Sequence, residues 1–241
     1  MIQLDGVGVR FYFDRHLKVL TPGAARLRPH GSTKWGVRNV SFETSGGEGI
    51  ALIGPSGSGK TTMLRLLAHV YWPDEGRLEV RGRVASLLSI DAGLLALLSG
   101  RENAMLLGVL GGLSRRASRR ALDAVRERSR LGEAFEQPVS TYSQGMRARL
   151  AFAVAEETEP QILLLDEVHE ALDHEFRALL QERAHAIVEA GGVVVAAGHD
   201  HRMLSRLCGR ALWLQDGALR EDGSFEDVQP RYLEAVHAEA S

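Results

Sequence analysis

Cysteine is nearly absent from this sequence, and it also lacks long apolar runs and a surplus of either charge. The single cysteine, Cys208, excludes an intramolecular disulfide, and we expect a buried, inert thiol there. The longest apolar stretch, 87–98, is interrupted by Ser89 and Asp91 and falls short of the roughly 20 residues that cross a bilayer. A formal charge of -2 excludes the broad basic field that attracts nucleic acid or anionic lipid.

We also expect no signal peptide, because residues 1–10 contain Asp5 and several glycines but no apolar run with a basic flank. The chain has 241 residues, of which 44% are hydrophobic and 25% are charged, which is enough for a substantial core. We therefore expect one globular unit that is not exported. Any role at a membrane would then need a membrane partner.

The spacing of apolar residues predicts the order of the elements. Alternation over 2–13 predicts a pair of short strands, the glycine- and proline-containing segment 21–35 predicts a loop, and 37–43 predicts the next strand. Helical spacing prevails between about Ser89 and Ala155, which indicates a helical insertion.

Strands buried on both faces are predicted where polar positions are scarce. The runs 161–165 and 192–197 have this character, which is typical of a parallel sheet. Segments 211–215 and 218–220 flank Asp216-Gly217, a dipeptide that favours a tight hairpin. The sequence thus predicts an α/β fold with a central, mostly parallel sheet.

A phosphate-binding loop is predicted between a strand at 49–53 and a helix at 61–69. The residues Gly54-Pro55-Ser56-Gly57-Ser58-Gly59-Lys60-Thr61 match G-x-x-x-x-G-K-[ST] in that context. Its backbone N–H groups and the following helix dipole would hold phosphate oxygens, with Lys60 on the β- and γ-phosphates and the Thr61 hydroxyl on Mg²⁺. A glycine-rich turn that binds nothing is the alternative.

Two adjacent carboxylates, Asp166 and Glu167, end the apolar run 161–165. At the carboxyl end of a buried strand they would lie beside the phosphate loop. There Asp166 suits Mg²⁺ through water, and Glu167 suits a general base for the attacking water. A strand that ends in a solvated acidic turn is the alternative.

A third motif, Tyr142-Ser143-Gln144-Gly145-Met146, precedes that strand, and with it the chain resembles the ABC ATPase family. The family's usual signature is Leu-Ser-Gly-Gly-Gln, so Ser143 and Gly145 are kept while the other three positions depart. The resemblance implies an ABC-type P-loop NTPase with a RecA-like core and an N-terminal antiparallel β subdomain. Residues 1–241 would form one nucleotide-binding domain with a helical subdomain at about 89–155.

The resemblance also implies that ATP and Mg²⁺ bind between two copies of the chain, with Ser143 facing the γ-phosphate held by the other copy. An N-cap of the following helix is a compatible interpretation of Ser143. The implied catalytic residues are Glu167, His199 and Lys60. The implied ATP-binding residues are Phe11, Gly54, Pro55, Ser56, Gly57, Ser58, Gly59, Lys60, Thr61, Thr62, Ser143, Gln144, Gly145 and Asp173, and the implied metal ligands are Thr61, Asp166 and Ser89.

Three of these positions can also be interpreted as structural residues, and a fourth departs from the family pattern. His199 matches the switch histidine, although Gly198 replaces the usual serine, and an isolated histidine is more often structural. Asp173 matches an aspartate that would communicate across the dimer, or it caps the helix from His174. Phe11 resembles an aromatic that stacks on adenine, or it belongs to the core. Ser89 stands where the family often has a glutamine.

Three segments look like the ATPases of polysaccharide exporters: 141–150, 99–103 and 173–176. This branch implies export of capsule, O-antigen or teichoic acid type glycans. It also implies ABC-2 type membrane permease subunits as partners, and a peripheral location on the cytoplasmic face of a bacterial inner membrane without nucleic acid. Export of a lipid or drug, or a soluble ATPase acting on ribosomes or DNA, are the alternatives.

Four arginines, Arg115, Arg116, Arg119 and Arg120, lie on neighbouring turns of a predicted helix at 114–130. Solvated surface is the default interpretation. A basic patch that faces lipid headgroups or a partner is the alternative.

Overall fold

Nine strands and seven α-helices form the fold over residues 1–13, 32–88, 93–167 and 173–239, which the computed structural model describes. The strands are β1 Ile2–Phe13, β2 Ser32–Glu43, β3 Glu48–Ile53, β4 Glu75–Val80, β5 Val84–Leu87, β6 Ile162–Asp166, β7 Val193–Ala197, β8 Arg210–Gln215 and β9 Ala218–Ser224. The helices are α1 Lys60–Leu67, α2 Gly100–Leu110, α3 Arg115–Ser129, α4 Gln144–Glu157, α5 His174–Glu189, α6 His201–Leu207 and α7 Phe225–Glu239.

The central sheet has the strand order β5-β6-β7-β3-β8-β9. The pairs from β5 to β8 are parallel, and β9 adds an antiparallel edge. Alternate residues of β6 enter different hydrophobic clusters, with Leu163 and Leu165 on one face and Ile162 and Leu164 on the other. Each such burial contributes about 1.5–3 kcal/mol, which explains why these strands carry so few polar residues. The predicted mostly parallel core is confirmed.

The second sheet is antiparallel, with the order β2-β1-β4. Segment 2–13 forms one strand, so the predicted pair of short strands is wrong. Register shifts between Leu4 and Val7, and between Val7 and Val9, interrupt its pairing with β2. Bulges of this kind bend a strand without ending it, and so the glycines here do not act as a turn.

Strand β2 begins at Ser32, five residues before the predicted start at Val37. Residues 32–35 therefore belong to a strand and not to the predicted loop. Lys34 and Trp35 pair with Phe11 and Arg10 of β1, and this pairing extends the strand. The rest of the predicted loop, 21–31, lies outside the described residues.

Helices α2, α3 and α4, with two short 3₁₀ helices at Gly132–Glu136 and Val139–Thr141, surround a third hydrophobic cluster. Helix α3 buries Ser118, Leu122, Val125 and Ser129, a spacing that keeps one face toward α2 and α4. The helical insertion that the sequence predicts is confirmed.

Two smaller predictions also hold. Strands β8 and β9 form the hairpin around Asp216 and Gly217, both of which have positive φ, as a two-residue hairpin turn requires. Cys208 is 2% exposed, and burial raises the pKa of its thiol. A bilayer-spanning helix is not found anywhere in the four described ranges.

Candidate functional site

The phosphate-loop sequence forms a tight turn between β3 and α1. Gly54, Gly57 and Gly59 have φ of 146°, 80° and 110°, which side chains rarely allow. A Cβ on Gly54 would also lie 2.1 Å from the carbonyl oxygen of Leu214. Glycine is therefore required here both by conformation and by the close approach of β8.

The loop closes around the Lys60 ammonium, whose Nζ donates to the carbonyl oxygens of Gly54 at 2.7 Å and Pro55 at 3.1 Å. Burial lowers the pKa of Lys60, while the nearby carboxylates of Glu167 and Asp166 oppose that shift. These two carbonyl oxygens hold the ammonium group at the loop. The phosphate oxygens of a ligand could take their place as partners of Lys60.

Asp166 ends β6 beside this loop, opposite Ala197 of β7. Burial raises the pKa of Asp166, and a hydrogen bond from the Thr61 hydroxyl opposes the shift. The hydroxyl and the carboxylate that the sequence assigns to Mg²⁺ are thus in contact. Hard oxygen donors of this kind are what Mg²⁺ prefers, so these two residues fit the ion.

Glu167 occupies the left-handed region, with φ of 56°, and its N–H donates to the carbonyl oxygen of Ala197 at 3.1 Å. Its carboxylate Oε1 lies 3.2 Å from Nε2 of His199, which follows β7. The two side chains are 47% and 57% exposed, so both remain accessible to water and ligand. The sheet brings these residues together because β6 and β7 are neighbouring parallel strands.

A cavity of about 370 Å³ joins these groups. It is lined by nine of the predicted site residues: Phe11, Ser56, Gly57, Gly59, Lys60, Thr61, Thr62, Glu167 and His199. Three further lining residues, Lys34, Trp35 and Gly36, were not predicted. No periodic pattern in the sequence marks these three residues, since only the pairing of β2 with β1 brings them to the loop.

Phe11 lies at the cavity wall and is half-buried, packing edge-on against Tyr71 with 5.6 Å between ring centroids. A Cβ on Gly36 would lie 2.4 Å from the Phe11 ring. Nearby, the Arg10 guanidinium covers Trp35 at 4.2 Å from the ring centroid. The cavity thus presents two aromatic side chains to a ligand.

The signature segment and Asp173 do not line this cavity. Ser143 is exposed and caps α4, since its Oγ accepts from the Met146 N–H at 3.2 Å. Asp173 caps α5 by accepting from the Phe176 N–H at 3.0 Å, and its other oxygen pairs with Arg149 at 2.9 Å. The N-cap interpretations of both residues are confirmed.

Tyr142 explains one departure from the family motif. Its ring is buried, and its hydroxyl donates to the carbonyl oxygen of Ala134 at 2.6 Å. A Cβ on Gly100 would lie 2.2 Å from that hydroxyl. The aromatic residue therefore joins the start of α4 to the start of α2. Ser89, the remaining predicted metal ligand, lies outside the described residues.

A larger cavity of about 540 Å³ lies at the opposite, amino-terminal edge of the sheet and contains none of the predicted site residues. Three of its arginines already pair with glutamates, namely Arg83 with Glu159, Arg128 with Glu157 and Arg183 with Glu156. The smaller cavity, where the titratable groups converge, is the better candidate for chemistry.

Comparison with known proteins gives one family and a consistent set of relatives. The family model described as ABC transporter matches residues 37–170. An O-antigen export system ATP-binding protein, RfbB of Klebsiella pneumoniae, is 36% identical over 200 residues, covering 83% of this chain and 81% of the relative. A teichoic acids export ATP-binding protein, TagH of Bacillus cereus, is 34% identical over 207 residues, covering 86% of this chain and 38% of the relative.

Solved structures show the same fold. The dimeric post-hydrolysis state of the ATP-binding cassette MJ0796 bound to ADP and Pi has a TM-score of 0.74 at 23% identity, covering 93% of this chain and 99% of that one. An ATP binding subunit of an ABC transporter has a TM-score of 0.75 at 20% identity, covering 99% and 98%.

Proposed function

The chain belongs to the ABC transporter family and is an ATPase of that family, and from this premise we infer that it energises the export of a polysaccharide or lipid-linked glycan. The names of its relatives in O-antigen and teichoic acid export support the choice of substrate. The observation that carries the chemistry is the convergence of Lys60, Glu167 and His199 on one cavity beside the Thr61–Asp166 contact.

We assign substrate binding to the phosphate loop. The backbone N–H groups of this loop and the amino end of α1 would hold the β- and γ-phosphates of ATP, and Lys60 would exchange its two carbonyl partners for phosphate oxygens. Phe11 would contact the adenine at the cavity wall. Thr61 and Asp166 would hold Mg²⁺, which when bound neutralises phosphate charge.

Glu167 is assigned as the group that orients the attacking water and accepts its proton. Its carboxylate is accessible, and His199 at 3.2 Å is placed to contact both the water and the γ-phosphate. Because phosphoryl transfer depends mainly on positioning and charge neutralisation, these two side chains need to stay in place while ATP binds. Their anchoring at the ends of adjacent strands provides that rigidity.

The second half of the site would come from another copy of the chain. Ser143 caps an exposed helix start away from the cavity, and a helix amino end suits the γ-phosphate of a neighbour. Asp173 would then communicate between the two sites. Closure of two cassettes around two ATP molecules, followed by hydrolysis and reopening, would move ABC-2 type permease subunits through the helical subdomain at about 89–155.

With this function, the chain would be a peripheral subunit on the cytoplasmic face of a bacterial inner membrane. Residues 1–241 would act as a single nucleotide-binding domain, and the membrane path for the glycan would belong to the permease.

Substitution of Glu167 by glutamine tests the assignment. The Glu167→Gln variant keeps the shape of the side chain but cannot accept a proton, so we expect ATP binding to persist and turnover to fall by about a hundredfold or more. The ATP-bound protein then accumulates as a dimer, which light scattering measures. Turnover close to that of the wild type would contradict the role of Glu167.

A further inference from the structure

Four arginines at the start of α3 form an exposed cluster, here called the arginine patch: Arg115, Arg116, Arg119 and Arg120. Within the four described ranges, none of these guanidinium groups makes an ion pair or a side-chain hydrogen bond. Other arginines of the same region do pair, since Arg128 contacts Glu157 and Arg130 contacts Glu175. The patch is therefore distinct from the paired charges around it.

The arrangement of the patch is electrostatically unfavourable for the isolated helix. Residues 115 and 119, and residues 116 and 120, are like charges at i,i+4 spacing, which repel each other. The first turn of α3 contains no acidic residue, so the positive end of the helix dipole adds to the repulsion. An arrangement of charges that destabilises a helix is expected where a function requires those charges. Here the four clustered cations indicate an anionic partner.

An exposed apolar turn adjoins the patch. Leu110, the last residue of α2, is 68% exposed, and Val109 is 36% exposed. Gly112, with φ of 97°, and the hydrogen bond from Leu113 N–H to the Gly108 carbonyl oxygen at 2.9 Å close the connection between α2 and α3. Leu110 therefore lies five residues before Arg115 along the chain, on the other side of this closed turn.

This combination fits a lipid surface better than an acidic peptide. Four cations spread along about 7.5 Å of helix match a layer of phosphates, and an adjacent leucine can enter the acyl boundary. A peptide would need a groove, but the cavity found along α3 lies nearer its far end, around Arg126 and Arg130. We propose that the arginine patch and Leu110 dock the helical part of the chain onto anionic lipid headgroups.

Vesicle binding tests this proposal with the nucleotide-free chain. We expect it to sediment with vesicles of about one-third phosphatidylglycerol in phosphatidylcholine, and to stay in solution with phosphatidylcholine alone. Raising the salt from about 0.1 to about 0.5 M should weaken binding, because the charges are exposed. Since ATP is left out, failure here would leave the ATPase assignment standing.

Charge removal separates the patch from the remaining surface. Each neutralised arginine should weaken binding about fivefold, so Arg115→Gln/Arg119→Gln loses about twenty-fivefold and the quadruple glutamine variant loses more than about a hundredfold. The control Arg77→Gln/Arg202→Gln removes two exposed arginines elsewhere and should bind like the wild type. Leu110→Gln should lose several-fold in binding on its own.

Glutamine keeps helix propensity at the exposed helical sites, and Arg77 is an exposed position of β4. All variants should therefore retain wild-type ATPase activity in solution, which verifies their fold. Equal binding by the wild type and the quadruple variant would overturn the proposal. So would equal loss in the control pair, or binding that appears only in vesicles containing the permease.

Discussion

At the scale of single residues, the site brings a buried cation, Lys60, and a partly buried carboxyl group, Asp166, into one place. Burial lowers the pKa of Lys60 and raises that of Asp166, and each is partly held back by the other. In their ionised forms, both groups are therefore poorly solvated by water. Such groups interact strongly with a charged ligand, which replaces the missing solvation.

Replacing Asp166 by asparagine should stabilise the nucleotide-free chain while abolishing ATP turnover. Because the pKa of Asp166 is raised, its ionised form opposes folding at neutral pH, and this cost fades as the pH falls through the raised pKa toward 3.8. We expect the thermal midpoint of Asp166→Asn to exceed that of the wild type at pH 7 and to approach it in acid. The exposed control Asp5→Asn should show no such gap, and a lower midpoint for Asp166→Asn at pH 7 would contradict the argument.

The sequence predicts those candidate site residues whose position depends on local spacing. Lys60, Asp166 and Glu167 lie at the ends of elements that periodicity alone predicts. Lys34, Trp35 and Gly36 were missed because their position depends on the register of β1 with β2, across 18 residues that the structure does not describe. Register between distant strands is set by packing on both faces, which no short window of sequence contains.

At the scale of elements, the starts of α2, α3 and α4 share one device, a serine that caps the first turn. Ser99, Ser114 and Ser143 each accept a hydrogen bond from the N–H three residues on. Among these caps, only that of Ser143 belongs to the motif assigned to ATP.

A pair of serine variants separates capping from ATP contact. Ser143→Ala and Ser114→Ala remove caps with the same 3.2 Å geometry, so each should lower the free energy of unfolding by about 1 kcal/mol. We expect only Ser143→Ala to lose ATP turnover, by at least about tenfold, in a steady-state assay. Equal turnover in the two variants would show that Ser143 acts as a cap alone.

At the scale of the whole molecule, the main feature is that Ser143 does not line the cavity. If two copies assemble the proposed site, turnover becomes a property of the dimer and depends on protein concentration. The Tyr142 side chain also packs against Gly100. The starts of α4 and α2 therefore cannot move independently without opening a gap between these two residues.

Mixing two impaired variants tests whether the site is shared between copies. Lys60→Ala and Ser143→Ala each impair both sites of their own dimer, but a mixed dimer would have one site with both residues intact. An equal mixture should therefore recover about a quarter of wild-type turnover, since half of the dimers are mixed. No recovery above the separate variants would contradict a site shared between copies.

The burial of Cys208 makes this chain convenient for spectroscopy. Because its one native thiol is shielded and hard to ionise, a cysteine introduced at an exposed position such as Thr141 would react almost alone with a nitroxide or a fluorophore. Label-to-label distances between two copies could then be followed through the nucleotide cycle in otherwise unaltered protein.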